Sequence, residues 1–145
     1  QFDSVLAAEG VDDMAWTIGD LGFEMRLSAY VPDLIRKGIR TMMLTKSESV
    51  KTSDIGYFAI HPGGRRILEV MEEELGITRE QNRFSYEVLR NYGNMSSPTV
   101  LFVLKGIVDH LNGNGHGEHV LAAAFGPGLT LETMILKNQT RHAYA

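Results

Sequence analysis

Gly56-Tyr57-Phe58-Ala59-Ile60-His61-Pro62-Gly63-Gly64 decides the reading of this chain. An apolar run rich in strand formers stops abruptly at a proline and two glycines. Ile67, Leu68, Met71 and Leu75 then recur at helical spacing as far as Gly76. A strand that feeds a glycine turn and then a helix is the unit of layered α/β folds, and such folds place functional groups at strand ends. Pro62 restrains the turn, while Gly63 and Gly64 allow a ligand to approach the backbone closely. His61 therefore has two readings: a functional group at a strand end, or a turn residue that caps the next helix.

Outward from that stretch, residues 13–27 read as two strands around Gly19-Asp20, with glycine in the first central position of a two-residue hairpin. A helix starts at Val31-Pro32 and carries Leu34, Ile35, Ile39, Met42 and Met43 on one face. Residues 45–54 are polar and read as a surface loop. On the other side, Phe84, Val88 and Tyr92 mark a helix within 78–92, and Ser96-Ser97-Pro98 predicts another, with serine caps and proline at its first position. That helix is apolar at 100, 103, 104, 107, 108 and 111, and also at 101 and 102, which predicts burial nearly all round. A glycine-rich loop at 112–118 precedes strands at 120–125 and 129–136, joined by Gly126-Pro127-Gly128. Residues after Asn138 read as a frayed tail. The order β-β-α-β-α-α-α-β-β gives a layered α/β domain with one helix buried between layers.

The length of 145 residues suits one domain, and 43% hydrophobic with 22% charged residues is globular composition. A formal charge of −4 offers no basic surplus for nucleic acid or an anionic membrane. The longest apolar runs, 100–104 and 120–125, fall far short of the roughly 20 residues of a membrane span, and no signal peptide is visible. The chain opens with Gln1, so the start of the gene product is expected elsewhere. There is no cysteine, which excludes disulfides, thiolate metal sites and a cysteine nucleophile from this polypeptide. An intracellular, cytoplasmic location is expected.

A second candidate site is Tyr92-Gly93-Asn94-Met95-Ser96-Ser97. A Gly-Asn pair before a helix mouth can hold the asparagine amide as a donor in the positive potential of the helix start; the plainer reading is a turn plus cap. Histidine and asparagine together can form an oxyanion hole, in which one donor is worth about 3–4 kcal/mol in the transition state. Their spacing along the chain leaves open whether they meet. His116-Gly117-Glu118-His119 lacks further ligands and matches no helix-borne zinc motif, so no metal site is expected. Residues 113–117 lack the strand-to-helix setting of a phosphate loop, and the Asn138-Gln139-Thr140 sequon is read as incidental. Residues 69–74 read as a solvated acidic helix face.

His61-Pro62-Gly63-Gly64, Tyr92-Gly93-Asn94-Met95-Ser96-Ser97 and Phe125-Gly126-Pro127-Gly128-Leu129-Thr130, in this order and spacing, resemble the C-terminal half of chalcone and stilbene synthases. These are type III polyketide synthases of the thiolase fold. The resemblance runs from about Met14 to Leu136. It implies a thiolase-like half with α-β-α layers, a mixed sheet of the five-stranded type and a buried helix. Residues 1–145 would form one domain, and the half bearing the cysteine nucleophile would be absent.

The resemblance also implies decarboxylative Claisen condensation of acyl-CoA starters with malonyl-CoA. The CoA thioesters are substrates, and no cofactor or metal is implied. His61 matches the histidine that stabilises the cysteine thiolate and binds the thioester oxygen; Asn94 matches the asparagine that shares that oxygen and guides decarboxylation. Gly63 and Gly64 match the turn along which the pantetheine arm passes, Ser96 a cavity-facing residue, and Gly126, Pro127 and Gly128 the loop shaping its wall.

Three positions depart from plant members. Met25 stands where they carry a gatekeeping phenylalanine, and Trp16 stands at a small position, though it reads equally as a hairpin core residue. Ala124 replaces a loop glycine. These departures suggest a bacterial-type branch. The full-length protein is expected to be a homodimer, and this chain alone is expected to be inactive. Two alternatives are a half of a ketoacyl synthase III-like condensing enzyme and a thiolase-fold binding or assembly module without catalysis.

Overall fold

In the computed structural model, which describes residues 2–6, 13–45, 52–111 and 117–139, a parallel strand pair divides the core into two layers. The elements are β1 (Phe2–Leu6), β2 (Met14–Gly19), β3 (Gly22–Leu27), α1 (Val31–Thr45), a 3-10 turn (Thr52–Asp54), β4 (Ile55–Ile60), α2 (Arg65–Leu75), α3 (Arg83–Tyr92), α4 (Thr99–Leu111), β5 (His119–Gly126) and β6 (Thr130–Lys137). The main sheet has the order β1-β6-β5-β4. β4 and β5 are parallel, with Phe58 opposite Leu121 and Ala59 opposite Ala122. The β5–β6 and β1–β6 pairs are antiparallel. The sheet is thus mixed, as expected, with four strands among the described residues rather than five.

Side chains alternate across a strand, and this alternation builds the layers. Phe58, Ile60, Leu121 and Ala123 pack on one face with Ile35 and Ile39 of α1 and Leu68 and Met71 of α2. Ala59 and Val120 point the other way, against Phe84 and Val88 of α3 and Val103 and Ile107 of α4. The α-β-α layering follows directly.

Several local expectations are refined. The hairpin pairs Gly19 with Gly22, so its two central residues are Asp20-Leu21 rather than Gly19-Asp20. Gly22, with φ +135, takes the conformation that favours glycine. Residues 78–81 form a reciprocal cap: the Thr78 N–H donates to Gln81 Oε1 (2.8 Å) and the Gln81 N–H to Thr78 Oγ1 (3.3 Å). Regular helix starts later, at Arg83.

The acidic face of α2 is a set of staples rather than a solvated face. Arg36 binds Glu73 and Glu74 at 2.6 Å each, and Arg40 binds Glu74 at 2.7 Å, clamping α1 to α2. The predicted all-round burial of α4 is also corrected. Val103, Ile107 and Leu111 are buried, whereas Leu101, Phe102 and Val108 are exposed, because no layer among the described residues covers that side.

β1, paired with β6, is a strand that the sequence pattern does not predict. The expected loops at 46–51 and 112–116, His116 with its metal-pair reading, the Met42 and Met43 side chains and residues 140–145 lie outside the described residues. No described helix is long and apolar enough to cross a membrane.

Candidate active site

His61 stands one residue beyond β4 and extends its ladder, its N–H donating to the Ala123 carbonyl at 2.8 Å. The strand therefore delivers the histidine into the core edge, where it is only 6% exposed. Its ring lies edge-on to Phe125, with centroids 6.5 Å apart. Burial disfavours the imidazolium and holds the His61 pKa below its usual 6.5. The capping reading of His61 does not hold: the cap position before α2 is Gly64, with no side-chain cap.

Behind His61 the chain turns tightly, the Gly63 N–H donating to the His61 carbonyl at 2.9 Å. A Cβ placed on Gly63 would meet His61 and Ile67 no closer than 3.7 Å, and one on Gly64 would meet nothing within 4 Å. Gly64 has an extended backbone, φ 171, that any residue adopts. Crowding inside this chain therefore does not account for the two glycines.

The Asn94 turn closes on the same place. α3 ends at Gly93, with φ 70, and Asn94 follows. Its Nδ2 donates to the Gly63 carbonyl at 3.2 Å, and its Oδ1 accepts the Ser96 N–H at 2.9 Å. Both ends of the amide are engaged, which fixes its orientation and leaves one Nδ2 hydrogen uncommitted. Ser96 sits at φ 64, a conformation uncommon for a residue with a side chain. The predicted serine caps give way to Thr99, whose buried hydroxyl accepts the Met95 N–H at 2.8 Å and donates to the Ser96 carbonyl at 2.6 Å.

The structure thus gathers His61, Gly63, Gly64, Asn94 and Ser96 around one turn. Trp16 and Met25 stand elsewhere, as a directly opposed pair on the β2–β3 hairpin and about half exposed, so Trp16 is not a hairpin core residue. The hairpin is fastened to the Gly126-Pro127-Gly128 loop by the Gly128 N–H, which donates to the Met14 carbonyl at 2.8 Å. Phe125, next to that loop and against the His61 ring, links the two groups.

The sequence pattern gives no role to Thr99 or Ser85, and none to Phe125 beyond its place in the 125–130 motif. Ser85 is fully buried on α3, and its hydroxyl accepts the Ile60 N–H at 3.2 Å, satisfying the outer edge of β4 just before His61. A serine between Phe84 and Tyr86 gives no local sign of that role. Among the described residues, no three histidine, aspartate or glutamate side chains are grouped to hold a metal.

The profile of the chalcone and stilbene synthases, C-terminal domain, matches residues 5–140. A putative chalcone synthase of Bacillus subtilis (strain 168) is 36% identical over 137 residues, which cover 91% of this chain and 36% of that protein. In structure, the chain is similar to 1,3,6,8-tetrahydroxynaphthalene synthase of Streptomyces coelicolor A3(2), a bacterial type III polyketide synthase. The TM-score is 0.87 at 30% identity, over 97% of this chain and 40% of that one. The polyketide synthase PKS-I of the brown alga Ectocarpus siliculosus gives a TM-score of 0.83 at 30% identity, over 95% of this chain and 38% of that one. This chain spans well under half the length of each of these relatives.

Proposed function

The chain belongs to the chalcone and stilbene synthase C-terminal domain family, and on that premise we propose that His61 and Asn94 form the oxyanion and decarboxylation pair of a type III polyketide synthase. The reaction condenses an acyl-CoA starter with malonyl-CoA. A cysteine thiolate attacks the starter thioester and releases CoA. Malonyl-CoA then loses carbon dioxide, and the electron pair of the broken bond becomes an enolate. The enolate carbon attacks the enzyme-bound acyl group, and the thiolate leaves.

Charge develops on a thioester oxygen at each stage, and that is where fixed donors contribute most. The uncommitted Nδ2 hydrogen of Asn94 is one such donor, and a ring N–H of His61 is the other. The single observation that carries this reading is the hydrogen bond from Asn94 to the Gly63 carbonyl, which brings the Asn94 amide to the His61 turn. The open space over Gly64 suits passage of the pantetheine arm. Trp16, Met25, Gly126 and Pro127 are assigned to the wall that shapes starter and product, and Ser96 to the cavity face. The nucleophile comes from polypeptide outside these 145 residues, which contain no cysteine.

The test measures carbon dioxide release and chain extension from an acyl-CoA and malonyl-CoA. Turnover is expected from the full-length enzyme and none from this chain alone. Turnover by the isolated chain, or a full-length enzyme that tolerates loss of both His61 and Asn94, would sink the assignment.

A further inference from the structure

α3 meets the segment that carries His61 at two points. In its first turn Ser85 accepts the Ile60 N–H at 3.2 Å, and just past its last turn Asn94 donates to the Gly63 carbonyl at 3.2 Å. His61 lies between these two anchors. Its own N–H donates the other way, to the Ala123 carbonyl of β5 at 2.8 Å. The end of β4 is therefore held from both edges, by α3 at Ile60 and by β5 at His61.

The Ile60 anchor has a specific cause. Among the described residues β4 pairs only with β5, so its outer N–H groups have no strand partner. Ile60 is fully buried, out of reach of water, and an unmet N–H there costs its full desolvation. Ser85, also fully buried, supplies the acceptor. The apolar contacts beside it, Phe84 and Val88 against Ala59, hold α3 on the sheet but have no preferred direction. They do not fix how far α3 slides along β4. A hydrogen bond does, because it weakens steeply once its geometry departs from the optimum. α3 is also tied to α2: Asn82, the fully buried residue before α3, donates from Nδ2 to Glu72 at 3.0 Å. With α3 pinned there, a shift of the β4 end is a shift of His61 relative to Asn94.

We propose that Ser85 is a positioning residue for the condensation: by holding the Ile60 N–H, it sets the separation of the His61 ring and the Asn94 amide. Ser85 touches no substrate and acts through the backbone of β4. This role rests on the assignment of His61 and Asn94 as the oxyanion pair. Two donors to one oxygen tolerate little error, since a misplacement of about 1 Å costs about a hundredfold in rate.

The experiment is a double-mutant cycle on malonyl-CoA decarboxylation by the full-length enzyme, joined to a crystal structure of Ser85→Ala. Ser85→Ala should lower kcat by at least about tenfold and leave KM within about twofold. Ser85→Cys, close in size but a weak acceptor, should fall between Ser85→Ala and the wild type. Ile39→Val, which thins the core under α1, should lower the urea midpoint and leave kcat unchanged. In an Asn94→Ala background, Ser85→Ala should cost less than about threefold, because no pair is left to misalign. In the crystal structure of Ser85→Ala, the His61 ring should move by at least about 0.5 Å relative to the Asn94 amide. Wild-type kcat in Ser85→Ala, an equal loss in Ile39→Val, an additive cycle or an unmoved His61 ring overturns the proposal. Unchanged decarboxylation by Asn94→Ala alone would instead sink the proposed function, and the crystal structure still decides whether Ser85 sets the spacing.

Discussion

The Asn94 side chain donates to the Gly63 carbonyl across 3.2 Å, joining the turn after α3 to the turn after β4. It satisfies a backbone acceptor and holds the amide in a single pose. Removing it should therefore affect chemistry more than folding.

In the full-length enzyme, Asn94→Ala should cut malonyl-CoA decarboxylation roughly a hundredfold or more. The urea midpoint of the isolated chain should fall only by the worth of a partly exposed hydrogen bond, about 0.5–1.5 kcal/mol. Asn94→Asp should be as damaging to decarboxylation, since a carboxylate cannot donate to Gly63 or to an oxyanion. Wild-type carbon dioxide release from either variant would contradict the role.

His61 gives a pH signature. Its folded pKa is depressed by burial, so the unfolded chain takes up a proton first as pH falls. The stability linked to neutral His61 is fully present above about 6.5. It should be lost progressively as pH drops from there through the lower folded value. Urea midpoints should show this slope in the wild type and lose it in His61→Gln, and ring proton shifts should place the His61 titration below 6.5. A thiolate supplied by the other half would favour the imidazolium, so the same titration should move upward in the full-length enzyme.

Thr99 bridges the Met95 N–H and the Ser96 carbonyl from a fully buried position. Thr99→Val keeps the shape and strands the Met95 donor, which should cost about 1–3 kcal/mol by urea unfolding. Thr99→Ser, which keeps the hydroxyl, should recover most of that loss. Activity of the full-length enzyme should fall with Thr99→Val because Ser96, at φ 64, is part of the turn that orients Asn94.

Met25 faces Trp16 across the hairpin, and a flexible thioether there can adapt to differently shaped acyl chains. Met25→Phe in the full-length enzyme should shift starter preference or product length without abolishing condensation. An identical product profile by mass spectrometry would remove Met25 from the cavity wall.

Local chemistry was legible where neighbours a few residues apart decide the outcome. The β4 strand ending just before His61, the α1 start at Val31 and the α2 stop at Gly76, whose φ of 65 is the left-handed cap, all follow from short-range rules. The turn of the β2–β3 hairpin slipped by one residue, because Gly19 and Gly22 both offered the needed freedom and only the register chose between them. Glu73 and Glu74 looked solvated because Arg36 and Arg40, which clamp them, lie on α1, far away in sequence.

Apart from β1, the elements and the reactive side chains are set by runs of neighbouring residues. Backbone propensity, capping and apolar period are written into consecutive residues. Tertiary packing alone brings Asn94 to Gly63, sets Ser85 against the Ile60 N–H and leaves one side of α4 uncovered among the described residues. Those outcomes depend on which surfaces lose water together. That is a property of packed layers, and no stretch of adjacent residues encodes it.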